Sequence, residues 1–471
     1  MFHGAWMVSA LSLQLIACPV ELVAPQEARF ACSSDDDCAP GFGCIDSYCL
    51  DLSSDAGTAD AAASADASSS SDAAVSDISA SDSYASDISA SDIPASDISA
   101  SDATIPDSAL PDAAAPDSSV PDAGCPSDWW SCRWSRRRAL SFNNAAIGEQ
   151  LASFPLLLVL NSGRIDYSNT QDNGEDLRFI DANGVNTLDH EIERWDEGGD
   201  SLVWVKVPQI DATDTDFIWM YYGNAAASAA TPQQASQVWS AGYQAVYHFN
   251  QGLRDSSASG FHGDDSGHAT ADGDGWIGRG REFSGDQSYV NLGSDLPLAR
   301  RVGACTLSTW VREDANDYEQ HLISISANNG TTPTTASRAT LIFKMGEFRG
   351  GGRSDDAESF IGGDTVGAGL LAQQWYYLVA VIDFAGDQVR FYKNDDYAFT
   401  LPVNFSQSQT SDTTSTSNAL GSEDEGGSAY FDGRLDEVRV AAVARSAAWI
   451  AAEYRSQADL GYVNYGAEEN W

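Results

Sequence analysis

The chain has 471 residues, room for two or three domains, and carries 69 acidic residues against 25 basic ones, a net charge of −44. That excess argues against nucleic acid and anionic membrane surfaces as partners, since both require basic patches. It makes the chain soluble and self-repelling, and no apolar run reaches the ~18 residues of a spanning helix.

The first seventeen residues are mostly apolar and lead into Leu15, Ile16, Ala17 and Cys18. An apolar run with a small residue before the cleavage point describes a secretory signal. The tetrapeptide resembles a bacterial lipobox. The resemblance implies that Cys18 becomes a lipidated N-terminus, with acyl chains holding the protein at the cell envelope, at the outer membrane or cell surface, without spanning it. The segment departs from the pattern in having His3 but no Lys or Arg before Cys18. The alternative is an ordinary signal peptide or a misassigned start.

Residues 28–50 hold Cys32, Cys38, Cys44 and Cys49. Four cysteines so close together after an export signal read as two disulfides, with three possible pairings. A zinc site is the rival reading, but no C-x₂-C pair is present. From Asp51 to Gly124 the composition falls to Ser, Asp, Ala and Pro, and Asp recurs every fifth residue from Asp72 to Asp122. A period of five suits neither helix nor strand, and too little apolar surface exists to offset ordering entropy. A disordered, charge-extended stalk is expected. The Asp ladder lacks the Gly turn of a calcium loop, so any calcium bound there is weakly held.

Folded sequence begins at Cys125 and Cys132, expected to form a short disulfide. Residues 125–245 carry runs of strand pattern: Phe154 to Leu160, Asp176 to Asp181, Leu202 to Pro208 and Phe217 to Asn224. Arg136 to Arg138 read as a solvated strand edge that discourages aggregation. Glu191 and Glu193 share one strand face. Paired carboxylates can serve a glycosidase, but the third acidic position of a glucanase E-x-D-x-E motif is Trp195, so a solvated strand face is expected. D-L-R-F at Asp176, W-V-K-V-P at Trp204 and Y-Y-G-N at Tyr221 resemble a bacterial and archaeal domain family of unknown function that commonly precedes laminin-G-like domains.

Residues 246–466 are organised around Trp375 to Asn394. Tyr376, Leu378, Ala380, Ile382 and Phe384 share one face of a strand; Trp375, Tyr377, Val379 and Val381 share the other. Both faces are apolar, so the strand is expected to be central and covered on both sides. A Gly/Asp turn leads into a second strand. With Y-H-F at Tyr247, R-E-F at Arg281, T-L-S-T-W-V at Thr306 and F-D-G-R-L-D-E-V-R-V at Phe431, this hairpin resembles laminin-G-like, concanavalin A-like jelly rolls. The resemblance implies an all-β chain of two β-sandwich domains, the second a jelly roll, behind the acidic stalk. Cys305 falls on the core face as a buried free thiol. The glycine run from Gly346 to Gly352 reads as a flexible connection.

No nucleophile or phosphate-loop motif appears. The sequence therefore points to a non-catalytic, surface-displayed protein that binds a glycan or an extracellular protein. A carbohydrate-active enzyme and a structural spacer are the alternatives. Trp310, Trp375 and Tyr377, opposite the core face, are the expected ligand platform, with packing beneath loops as the competing reading. Family resemblance allows structural calcium at Asp255 or Asp436, against plain ion pairing of Glu437 with Arg439 or Arg434.

Overall fold

A computed structural model describes residues 42–45, 48–51, 125–229, 231–265, 271–314, 318–326, 337–423 and 428–471. Cys18, Cys32, Cys38 and the stalk from residue 52 to 124 lie outside them. A short hairpin, Phe42–Ile45 with Tyr48–Asp51, sets Cys44 opposite Cys49. The described residues from 125 onward belong to one compact unit, in which every paired strand runs antiparallel. Cys125 and Cys132 are joined in a disulfide, as expected. Among the described residues no helix is long and apolar enough to cross a membrane.

The first domain sandwiches a three-stranded sheet, with Ser201–Ile210 between Leu151–Leu160 and His190–Arg194, against a six-stranded one. The interior face of each strand carries the apolar half of its alternation: Phe154, Leu156, Leu158 and Leu160 meet Val203, Val205 and Val207 in one buried cluster. The second sheet is completed from the far end of the chain. Val463–Tyr465 and Glu469–Asn470 both pair with Arg136–Phe142. That strand is therefore interior to its sheet, which corrects the expectation of a solvated arginine edge. Arg137 is buried, ion-paired to Asp128 and Glu469 at 2.7 Å each, and packed against the Trp129 and Trp219 rings.

The second domain is a two-sheet jelly roll. Its large sheet has eight strands, with Asp432–Ala441, Ala304–Glu313 and Trp375–Asp383 side by side at its centre. Its small sheet has six, including Glu319–Ser326, Ser337–Lys344 and Glu347–Gly352. Leu378, Ala380, Ile382 and Phe384 enter the core between the sheets, with Cys305 as a buried free thiol whose pKa burial pushes up to about 12. The glycine run is a strand of the small sheet, not a flexible connection. A Cβ at Gly350 would sit 2.8 Å from both Ala380 and the Phe391 ring, so the bare glycine lets the sheets approach.

The other face of the central strand is covered too. The helix Ala447–Ala458 lies on it, capped by Ser446, whose side chain accepts from the Trp449 N–H at 3.1 Å. Ile450 of this helix closes a cluster with Trp310, Tyr377, Val379 and Val381. One turn face over, Trp449 packs edge-on against Phe154 of the first domain at 5.1 Å. The helix is thus a wedge held by both domains.

Histidine 321 is buried in the small sheet, 2.8 Å from the Ser324 hydroxyl, and burial, aided by Arg349, pushes its pKa down to about 3. It is neutral when folded and titrates at its ordinary value when unfolded. The unfolded chain therefore binds the extra proton, and stability falls as pH drops below about 6.5 toward 3. Between pH 7 and 5 this residue should cost about 2 kcal/mol of stability. Urea denaturation at the two pH values checks it, with His321→Gln expected to remove that share of the loss.

Candidate functional site at the domain junction

The unusual chemistry of the molecule lies where the outer face of the large sheet meets the first domain. Outward residues of Asp432–Ala441 would ordinarily alternate, but this strand bulges. Ser308 pairs with Arg439 while Trp310 pairs with Asp436, so Thr309 faces two residues, and Glu437 takes φ +50°. Leu435, Val438 and Val440 stay in the core. Asp436, Glu437 and Arg439 are released to the outer face, all fully buried beneath the first domain and the helix.

Arg439 is the hub. Its guanidinium bonds Glu437 at 2.7 Å and Glu453 of the helix at 2.9 Å, and lies over the Trp204 and Trp239 rings at 4.7 and 5.1 Å. Tyr243 and Tyr377 donate their hydroxyls to Glu453 at 2.5 and 3.1 Å. His248, just past the strand Tyr243–Tyr247, places Nδ1 2.7 Å from Glu437 and stacks on Trp204 at 5.4 Å. From the first domain come Glu191 and Glu193. Trp204 donates its indole N–H to Glu193 at 2.6 Å, and Asn250 donates to the same carboxylate. Trp239 and Ser256 donate to Glu191 at 2.7 Å each. Glu193 is buried and Glu191 partly so, which corrects the expectation of a solvated strand face.

Burial and charge set the protonation of this cluster. Burial pushes the Glu193 carboxyl up to about 8, against the pull of His248. Burial disfavours a charged His248 ring, but Glu437 and Glu193 outweigh it and hold its pKa well above the ordinary histidine value. Burial also works against Glu437, yet His248 and Arg439 keep it ionised below the usual carboxylate range. Asp436 is raised well above that range by burial and by Glu437 beside it.

A cleft of ≈ 410 Å³ opens above the cluster, lined among others by Glu191, Trp195, Glu175, Asn173, Gln251 and Arg254. The Trp195 indole is half-buried; its ring fills the space beside Gly174, where a Cβ would come within 2.7 Å, and it meets Tyr167 edge-on at 5.3 Å. The cleft lining therefore combines an aromatic ring with amide, carboxylate and guanidinium groups. A second cleft of ≈ 500 Å³ runs beside the helix under Tyr392 and Tyr397. Alanine methyls make up much of its lining beside Asn394, Asp395 and Asp396, and its guanidinium, Arg455, is engaged by Asp395 at 2.9 Å.

The residues expected from sequence to bind ligand are placed elsewhere. Trp310 and Tyr377 are 1% and 0% exposed beneath the helix. The Trp310 indole donates to Gln457 at 2.7 Å and stacks on Trp276 at 4.2 Å, so neither offers a platform. The face is covered, as its apolar residues implied, and the cover is the distant helix Ala447–Ala458, not a neighbouring loop. Trp375 is half-buried at the margin of the same cluster. Asp255 accepts from the Val246, Ser257 and Phe261 N–H groups and the Ser257 hydroxyl, and so fixes its own loop. Asp436 accepts from the Ile277 and Glu437 N–H groups. Glu437 pairs with Arg439, as the ion-pairing alternative had it. His262 accepts from the Asp255 N–H at 3.1 Å. Among the described residues, the group with metal-ligating atoms all within 4.8 Å of one another is Glu193, His248 and Glu437. Sequence reading gave His248 no role, although it sits in Y-H-F and its partners in L-D-E-V-R-V.

No curated protein matches the chain. Solved structures with a similar domain include domain 4 of AbnA, an extracellular arabinanase from Geobacillus stearothermophilus, in complex with arabinotriose (18% identity, 45% of this chain and 98% of that one, TM-score 0.32). Another is the CBM40 of a Ruminococcus gnavus sialidase bound to α2,3-sialyllactose (21% identity, 37% and 95%, TM-score 0.30). A third is the binding domain of botulinum neurotoxin serotype D (13% identity, 47% and 53%, TM-score 0.35). Residues 173–259 match DUF2341, a domain of unknown function, and residues 284–451 match Laminin_G_3, of the concanavalin A-like lectin/glucanases superfamily, so the chain carries a concanavalin A-like domain behind a DUF2341 domain.

Proposed function

We propose that this chain is a non-catalytic glycan-binding protein displayed at a bacterial cell surface. An envelope anchor through Cys18 and the acidic stalk would hold the two domains away from the membrane. The observation that carries the reading is the junction cleft. A half-exposed indole beside amide, carboxylate and guanidinium groups matches what a sugar presents: apolar C–H faces rimmed by hydroxyls. The acidic pair at its floor favours binding over hydrolysis. A glycosidase needs carboxyl groups free to reach the glycosidic oxygen and the anomeric carbon. Here Glu193 accepts from Trp204 and Asn250, and Glu191 from Trp239 and Ser256.

The test is a glycan array probed with the secreted chain, followed by titration of the best-bound oligosaccharide against Trp195→Ala. Loss of at least tenfold in affinity, about 1.4 kcal/mol, is expected, with no reducing ends released on prolonged incubation. An array on which nothing binds would turn the assignment toward a protein partner.

A further inference from the structure

Beneath the cleft, against His248, lies a void of ≈ 10 Å³ lined by Glu191, Glu193, His248, Phe249, Gln251, Arg254 and Ser256. It has room for one water or one small ion. Glu191, Glu193, Gln251 and Arg254 line both the void and the open cleft, so the two adjoin.

His248 is 4% exposed, and its Nε2 has no hydrogen-bond partner. A buried imidazole nitrogen without a partner is costly. Glu191 Oε2 is 3.7 Å away. That gap is too long for a hydrogen bond. It suits two atoms that share a cation, with a metal–nitrogen bond of about 2.0–2.1 Å and a metal–oxygen bond of about 2.0–2.2 Å. The other ring nitrogen is already committed. Nδ1 lies 2.7 Å from Glu437, which Arg439 in turn holds at 2.7 Å. With Nδ1 held by Glu437, Nε2 is the nitrogen left to the void, where a metal would replace its proton; a carboxylate relay of this kind orients metal-ligating histidines generally. Glu191 and Glu193 each keep acceptor capacity beyond the donors they already meet, indole and hydroxyl for Glu191, indole and amide for Glu193, since a carboxylate offers about four acceptor positions.

We propose that this void is a binding site for a single first-row divalent cation of the zinc type, held by His248 Nε2 and the Glu191 carboxylate, with Glu193 lining it and Glu437 orienting the imidazole. One imidazole among carboxylates selects such a metal over calcium, which takes all-oxygen cages. The bound ion joins Glu191 of the first domain to His248 of the second.

The test uses the full chain, stripped with a chelator and titrated separately with Zn²⁺, Co²⁺ and Ca²⁺ by calorimetry, with Co²⁺ absorption as an independent readout. One equivalent of Zn²⁺ or Co²⁺ is expected, with Ca²⁺ binding at least 100-fold weaker. His248→Gln and Glu191→Gln should each abolish that equivalent, and Glu437→Gln should weaken it 10- to 100-fold. His262→Gln should leave it unchanged. Should His248→Gln fail to fold by near-ultraviolet circular dichroism, the isosteric Glu191→Gln variant carries the test. No stoichiometric uptake by the wild type, uptake of Ca²⁺ alone, or an equivalent that survives Glu191→Gln would overturn the site.

Discussion

Replacing Arg439 with methionine should destabilise the folded unit by about 3–5 kcal/mol. The guanidinium is the shared counter-charge of Glu437 and Glu453, at 2.7 and 2.9 Å, and all three groups are within 2% of complete burial. Methionine fills most of the volume and restores the contact with Trp204 and Trp239, so the loss isolates charge from packing. Two carboxylates would remain in a site closed to water, and neutralising them costs the network that holds His248, Tyr243 and Tyr377. A second substitution, Glu453→Gln, should recover part of the loss, because removing a buried charge along with its partner is far cheaper than stranding it. Thermal or urea unfolding of the two single variants and the double variant measures the coupling. Additive losses would show that the three side chains do not act as one network.

Trp310→Ala should cost about 3–5 kcal/mol, the range for removing a large buried aromatic side chain. The ring stacks on Trp276 at 4.2 Å and meets the Tyr377 and Tyr454 rings at a tilt, and its indole N–H is bonded to Gln457. The same substitution leaves the Gln457 side chain without its donor. Were Trp310 an exposed sugar platform, its loss would weaken binding and leave the unfolding midpoint nearly unchanged. A large fall in midpoint is the expected result. Trp375→Ala, at the half-buried margin of the same cluster, should cost less.

These two residues show where the sequence is legible and where it is not. The central hairpin declares itself in local chemistry: strict alternation, β-branched and aromatic residues, and a Gly/Asp turn. The sandwich class and the core face of Leu378, Ala380, Ile382 and Phe384 follow from period two alone. What covers the opposite face does not, because the covering helix is brought there by tertiary packing, and its own pattern also serves Phe154 of the first domain. The closure of the first domain is hidden for the same reason. Arg137 finds Glu469 across 332 positions of sequence.

The junction cluster is harder still. Glu191 and Glu193 read as a solvated pair because solvated pairs are the rule for acidic residues on strands. Their burial depends on a bulge at Glu437 that turns two successive acidic residues outward, and nothing in L-D-E-V-R-V marks a bulge. Two acids and an arginine within a short stretch of strand, facing a lone histidine in a second motif, is the signal that was present. It becomes visible only when the two motifs are known to be neighbours, as Tyr247 and Val438 are in the sheet.

The most direct measurement is the affinity of the best-bound glycan for the wild-type chain, Trp195→Ala and Trp375→Ala side by side. The account places the ligand in the cleft between the domains. It predicts at least a tenfold loss for Trp195→Ala and little change for Trp375→Ala. The reverse pattern would put the ligand on the jelly-roll face beside the helix and contradict the assignment.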